Sequence, residues 1–280
     1  MLDLFARLDP GGAPLTSRGP FTRGYHAIGA MPGGAIVTSG YEDFEIEAVD
    51  ERLQKRWSAY CERKDAREQP QVTGLGSGAI VAGNSGARTV CSGGPKGSKN
   101  ERSYVPPRTT GVFVTRLLDG GKIAWMKGSP VEGTFGGLAV SPIGRIALGV
   151  NTSTQAQVQV LDTDGKELFT ARFTPERGET ARIAALAINT AGSMVVAGDF
   201  EGALDAAGTR LVALGRDVFV ARLAPDGALL WARRFGDQEN QSAKGVAFDG
   251  AGGVVVMGSE AIRQSGDRSI EDWFVLDLLP

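Results

Sequence analysis

Two arrangements of apolar and polar positions alternate along the chain, and both predict hairpins. The first joins a strand of period-two alternation, a turn and a second strand marked by an aromatic. It reads VFVARLAPDGALLW at 218–231 and VFVTRLLDGGKIAW at 112–125. The aromatic falls four residues past the turn: Trp231 after Asp226-Gly227, Trp125 after Gly120-Gly121, Phe169 after Asp164-Gly165. Trp57 keeps that offset from Arg52-Leu53, and Thr16 keeps it from Gly11-Gly12. Asp-Gly and Gly-Gly supply the positive φ angles of a two-residue hairpin turn.

The second arrangement is more apolar. It reads AIGAMPGGAIVTSG (27–40), VTGLGSGAIVAGN (72–84), GLAVSPIGRIALGVN (137–151), ALAINTAGSMVVAGD (185–199) and GVAFDGAGGVVVMGS (245–259). A turn Gly falls at 34, 78, 144, 192 and 252, and a closing Gly at 40, 83, 149, 198 and 258. An uninterrupted run such as VVVM means that both faces of the strand are covered. The first type alternates, so it lies further out.

One unit is therefore two buried and two half-exposed strands, lettered A to D from the inside outward. Four antiparallel strands per repeat describe the blade of a β-propeller. The expected fold is all-β: a single propeller domain over residues 1–280, of about five blades. The chain opens on an outer hairpin with no inner pair of its own, and WFVLDLLP at 273–280 is one strand of a sixth. These terminal strands are expected to close the ring, which removes exposed sheet edges. The repeated Trp is read as core between blades, not as a stacking platform for ligands.

Residues 51–69, ERLQKRWSAYCERKDAREQ, carry two signals. They hold no Gly or Pro, and Leu53, Trp57, Tyr60 and Cys61 recur at helical spacing. The offset of Trp57 from its turn instead predicts a strand through residues 54–60.

Composition agrees with many short strands. Gly is 40 of 280 residues, about twice the usual ~7%. Net charge is −2, so no global basic field recruits nucleic acid or a membrane surface. No apolar run reaches the ~18 residues of a spanning helix. The opening MLDLFARLDPGG does not read as a signal peptide.

The segments AKGVAFDGAGGVVVMGS, DVFVARLAPDGALLWARRFG and GDFEGALDAAGTRLVALGRDVFVARL resemble the SBBP-type β-propeller repeats of bacteria, abundant in myxobacterial secreted proteins and lipoproteins. The resemblance is strong over 218–258 and fades before residue 70. It implies a propeller in an extracytoplasmic setting, without an assigned activity.

Length varies at one end of the repeats. The B–C connections at 84–111, 199–217 and 259–272 are long, as are the D–A connections at 61–71, 127–136, 174–182 and 234–243. Recognition is commonly placed in such loops. The longest holds Arg88, Lys96, Lys99, Arg102 and Arg108 against the single acid Glu101, with Tyr104 among them. Two readings stand for it: a grip on an anionic or glycan ligand, or a solvated loop. Cys61 and Cys91 lie in this region, either as a disulfide or as two unrelated thiols.

Catalytic and metal chemistry find little support. His26 is the only histidine, without a Ser, Cys or metal motif beside it; it precedes the first inner strand and reads as a rim residue of the channel. LDTDGKE at 161–167 starts like a calcium loop, but its twelfth position is Phe173 where Glu is needed. No metal and no cofactor are expected. The function read from the sequence is a non-catalytic propeller that recognises a protein or glycan on its B–C and D–A loop face. One alternative is a lyase or glycoside hydrolase with carboxylates at the channel mouth. The other is a structural repeat segment of a larger surface protein.

Overall fold

In a computed structural model of the chain, residues 3–8, 14–21, 25–40, 43–64, 68–94, 98–105, 111–263 and 269–278 are described, with side chains from 27 onward except 262, 263, 269 and 270. The described residues form antiparallel strands joined by turns, with no α-helix. The chain divides into two compact units, Met1–Glu132 and Gly133–Pro280.

The first unit begins with β1 (Asp3–Leu8) paired to β2 (Pro14–Phe21). Repeat 1 follows as β3 (Tyr25–Met31), β4 (Gly34–Gly40), β5 (Asp43–Asp50) and β6 (Lys55–Lys64). Repeat 2 has β7 (Gln71–Leu75), β8 (Gly78–Asn84), β11 (Val112–Leu117) and β12 (Ile123–Gly128). Its B–C connection is not a loop. It folds into β9 (Arg88–Gly93) and β10 (Glu101–Tyr104), and β9 pairs with β6 of repeat 1. The sheet order is thus β10-β9-β6-β5-β4-β3 beside β12-β11-β8-β7.

The second unit repeats the device. Repeat 3 is β13 (Thr134–Val140), β14 (Ile146–Asn151), β15 (Ala156–Leu161) and β16 (Glu167–Pro175). Repeat 4 is β17 (Ala181–Ile188), β18 (Met194–Ala206), β19 (Thr209–Leu223) and β20 (Leu229–Phe235). The far half of β18 leaves its own repeat and pairs with β16 through Phe173↔Ala206, Thr174↔Asp205 and Pro175↔Leu204. The near half of β19 returns along it. Repeat 5 is the three-stranded sheet β21 (Asn240–Phe248), β22 (Val254–Arg263) and β23 (Ser269–Leu278). In both units, then, the B–C connection of one repeat hooks onto strand D of the repeat before it. Repeat 3 has a short turn at Thr152–Gln155 in that place and forms no hook.

The outer turns differ from the two-residue form expected from Asp-Gly and Gly-Gly. Each of those among the described residues closes with two backbone bonds, as in Asp162 N to Lys166 O (2.9 Å) and Gly165 N to Asp162 O (3.0 Å). That is a three-residue loop whose last residue is left-handed, the bulged alternative to the two-residue turn. Asp50 Oδ1 and Asp162 Oδ1 each accept from the backbone N–H groups two and four residues on, at 2.8–2.9 Å, and hold the turn. At 50–54 the left-handed residue is Leu53, with φ 60° and no glycine to ease it. The turn register prevails over the helical spacing of 51–69, which is why Trp57 lies in a strand.

Aromatics join consecutive repeats. A Cβ on Gly121 would sit 3.0 Å from Trp57 Cε3, and one on Gly227 would sit 2.5 Å from Phe169 Cδ2. Strand D of one repeat thus lays its ring on the C–D turn glycine of the next, and a side chain there would push it off. Trp57 is buried. Trp125 and Trp231 are half-buried rather than core, with the charges of Lys127 and Arg233 lying 6.0 and 5.1 Å from their rings. Their strands keep one face to solvent, so the long cations cover what the core does not.

The core of the first unit gathers Ile36, Phe44, Ile46, Trp57, Val81 and Phe113. The second has one cluster around Val158, Phe173, Phe200 and Phe219 and another around Val195, Val218, Val220, Val254 and Val256. Strands β8 and β14 are buried almost end to end, as their unbroken apolar runs require.

Candidate functional site

The hook of the first unit carries most of the residues singled out from the sequence. Its strand β9 lies against β6 over six residue pairs, from Ala59↔Gly93 to Lys64↔Arg88. Within that ladder Cys61 faces Cys91 directly, and the two form a disulfide with Cα atoms 4.1 Å apart. Such a spacing is that of a directly opposed antiparallel pair without ladder bonds of its own, where side chains approach most closely. Both cysteines are fully buried.

The basic residues are spread along this hairpin and not drawn into one pocket. Arg88 opens β9 and is exposed; Lys99, just before β10, is exposed too. Arg102 is exposed on β10 opposite Cys91, with Nη1 donating to the carbonyl of its neighbour Glu101 at 2.9 Å. No ion pair of Arg88, Lys99 or Arg102 occurs among the described residues. Lys96 and Arg108 lie outside the described residues. The backbone of His26 belongs to β3, while its side chain lies outside the described residues.

Tyr104 does a different job from its neighbours. A side chain at Gly128 would overlap its ring, and its hydroxyl donates to Ser129 O at 3.1 Å. The ring thus fastens the outer strand of the hook onto β12, and burial pushes its phenol pKa up. The base of the hook rests on Arg63, a fully buried guanidinium. It donates to Asn84 O at 2.9 Å and Glu68 O at 2.6 Å and lies 5.2 Å from the centre of the Phe44 ring. Sequence reading missed Arg63 because nothing in ERK marks one of its two cations as interior.

The hook of the second unit is electrically closed by comparison. Arg210 binds Glu176 at 2.7 Å, and Arg216 binds Glu201 at 2.7 Å. Arg234 is paired with Asp217, a carboxylate with no exposure. These acids each hold an arginine. No group of three or more His, Cys, Asp or Glu placed to hold a metal occurs among the described residues. No helix among them is long and apolar enough to cross a membrane.

No family model matches the chain, and no curated protein matches it. Solved structures resemble it at low identity. The structure of the Dos1 propeller is 11% identical with a TM-score of 0.47, over 92% of this chain and 70% of that one. The structure of U3-55K is 8% identical with a TM-score of 0.45, over 90% and 81%. The WD40 repeats of RRP9 are 8% identical with a TM-score of 0.44, over 90% and 80%. The described residues are all-β, and a propeller is among the solved structures that resemble the chain.

Proposed function

We propose that the chain is a non-catalytic propeller scaffold of SBBP-like repeats that recognises a protein or glycan on its B–C and D–A loop face. The observation that carries this is the first hook. The longest variable segment is built into a two-stranded arm whose Arg88, Lys99 and Arg102 are exposed and have no acidic partner among the described residues. Exposed cations on a rigid arm suit a carboxylated or sulfated surface, because the arm's shape is fixed before binding and little ordering cost remains. Within this reading the blades number about five and the terminal strands complete the last one. The buried disulfide supports folding in an oxidising compartment.

The test is a glycan array and a panel of immobilised surface-protein ectodomains, probed with wild type and with the triple variant Arg88→Ala, Lys99→Ala, Arg102→Ala. Specific wild-type binding that falls at least about tenfold in the variant, as loss of charge-assisted contacts predicts, supports the reading. Binding that the variant retains in full places recognition elsewhere.

A further inference from the structure

Each repeat but the second has an irregularity at one register of strand A. The ladders skip one residue between Tyr25 and Ala27, Phe135 and Gly137, Ile183 and Ala185, and Ala243 and Gly245. The extra residues are His26, Gly136, Ala184 and Lys244. A bulge takes its residue out of the period-two alternation and re-aims it, and such positions commonly border functional sites. In the second unit the residue so displayed is glycine, alanine and then lysine.

Lys244 stands beside an unusual carboxylate. The strand-B residue at the loop end is Asn151 in repeat 3 and Asp199 in repeat 4. Asn151 spends its amide on the next strand A: it accepts from Ile183 N at 2.8 Å and donates to Ile183 O at 2.9 Å. Asp199 has no donor and cannot repeat that two-way bond. It takes Arg182 instead, at 3.2 Å, with its own side chain 8% exposed and that of Arg182 58% exposed. Arg216 lies next to it, bound to Glu201 through Nε and Nη2 at 2.9 and 2.7 Å. Lys244 is exposed, with no hydrogen bond or ion pair among the described residues. Arg182, Arg216 and Lys244 all act on the Asp199 carboxylate, and desolvation still holds its pKa above the ordinary value. The cluster sums to three cations against Asp199 and Glu201, an excess of one in a chain of net charge −2. Its exposed part includes most of the Arg182 fork and the Lys244 ammonium, while the Glu201 carboxylate, 38% exposed, is held by Arg216.

We propose that this rim, Arg182 and Lys244 around the buried end of Asp199, is a binding site for a small oxyanion, whether a free ion or the carboxylate, sulfate or phosphate group of a larger ligand. Arg182 offers a planar pair of N–H donors, and Lys244 a point charge delivered by the bulge. Asp199 orients Arg182 and limits affinity by competing for it. The site is independent of the basic arm of the first unit.

The experiment uses inorganic phosphate as probe on the isotope-labelled full chain, at constant ionic strength, read as amide shifts. Saturable shifts confined to residues 181–183 and 243–245 are expected. Lys244→Ala changes an exposed side chain and leaves the fold intact; it should weaken binding about tenfold, and Arg182→Gln similarly. Asp199→Asn should strengthen binding severalfold by removing the competing carboxylate. Repeating the titration with sulfate and with a sulfated disaccharide separates a free-ion site from one that reads a larger ligand. Non-saturating shifts, or equal affinity in wild type and Lys244→Ala, overturn the proposal. So does loss of the same shifts in the Arg88→Ala, Lys99→Ala, Arg102→Ala variant, which would place the anion on the arm.

Discussion

Cys61 and Phe173 hold the same place in two repeats, each four residues beyond the aromatic of strand D, and each faces the hook of the following repeat. Around Cys61 the cross-strand row is Phe44, Cys61, Cys91. Around Phe173 it is Ala156, Phe173, Ala206. Each row has room for one ring, and the two units put it on different strands. Where the ring sits on strand C, two small sulfurs fill strand D and the hook and join covalently. Where the ring sits on strand D, both neighbours shrink to alanine, and Phe173 stacks 5.1 Å from Phe219, itself 6.2 Å from Phe200. The same backbone junction is made once by a bond and once by packing. The bonded hook has six ladder pairs on strand D, the packed one three. The second hook compensates with fully buried Leu204 and Ala206.

The largest effect should come from the packed junction. Phe173→Ala removes a fully buried ring that packs on Phe219 and should cost ~3–5 kcal/mol in denaturant unfolding, with the loss of amide protection centred on 173–175 and 203–206. Equal loss of protection in the first unit would show that the two junctions are not separate. Next comes the bonded junction. The Cys61→Ala, Cys91→Ala double variant releases a loop of about thirty residues and should cost ~2–4 kcal/mol. Protection should fall in β9 and β10 and stay unchanged in β18 and β19. A sharper test exchanges one chemistry for the other. Phe173→Cys with Ala206→Cys puts thiols on a directly opposed pair, and air oxidation should remove two hydrogens from its mass. The bond should recover ~1–3 kcal/mol of what the lost ring costs, seen as the difference between oxidised and reduced melts.

The smallest effect is the pH response of the second unit. The pKa of Asp199 is raised in the folded state, chiefly by desolvation. The folded protein therefore binds its proton more tightly than the unfolded chain does. The ionised carboxylate opposes folding at neutral pH, and that penalty fades as pH falls through the raised value toward the ordinary carboxylate range. Asp199→Asn should lift the midpoint slightly at pH 7 and match wild type at pH 3. A variant less stable than wild type at pH 7 would mean that the Arg182 ion pair outweighs desolvation.

These junctions were only partly legible in the sequence. The hairpins announced themselves because the inner turns keep five or six residues from a closing glycine and the outer turns keep four from an aromatic, and a local offset survives in one dimension. The hooks did not. RTVCSG and ERSY are short and polar, and in GALDAAGTRLV the alternation is real but weak. Their partners lie a repeat away, so no local period reports the pairing. Cys61 and Cys91 could be placed near one another, yet their bond depends on β9 choosing β6, a choice made by the layer of Phe44. Arg88, Lys99 and Arg102 stood out by charge, whereas Lys244 stands out only once the ladder shows it to be the extra residue of its strand.

The hooks also set an order of events during synthesis. Strand β6 ends at Lys64, but its outer neighbour does not begin until Arg88. As the chain leaves the ribosome, the edge of repeat 1 waits bare while the two inner strands of repeat 2 are made, and bare edges are where nascent chains misassemble. Cys61 waits with it as a free thiol. Oxidation then comes late, after the arm has docked, and acts as a ratchet on an arrangement already reached. The second unit has no such ratchet, and the edge of β16 must rely on Leu204 and Ala206 arriving in time.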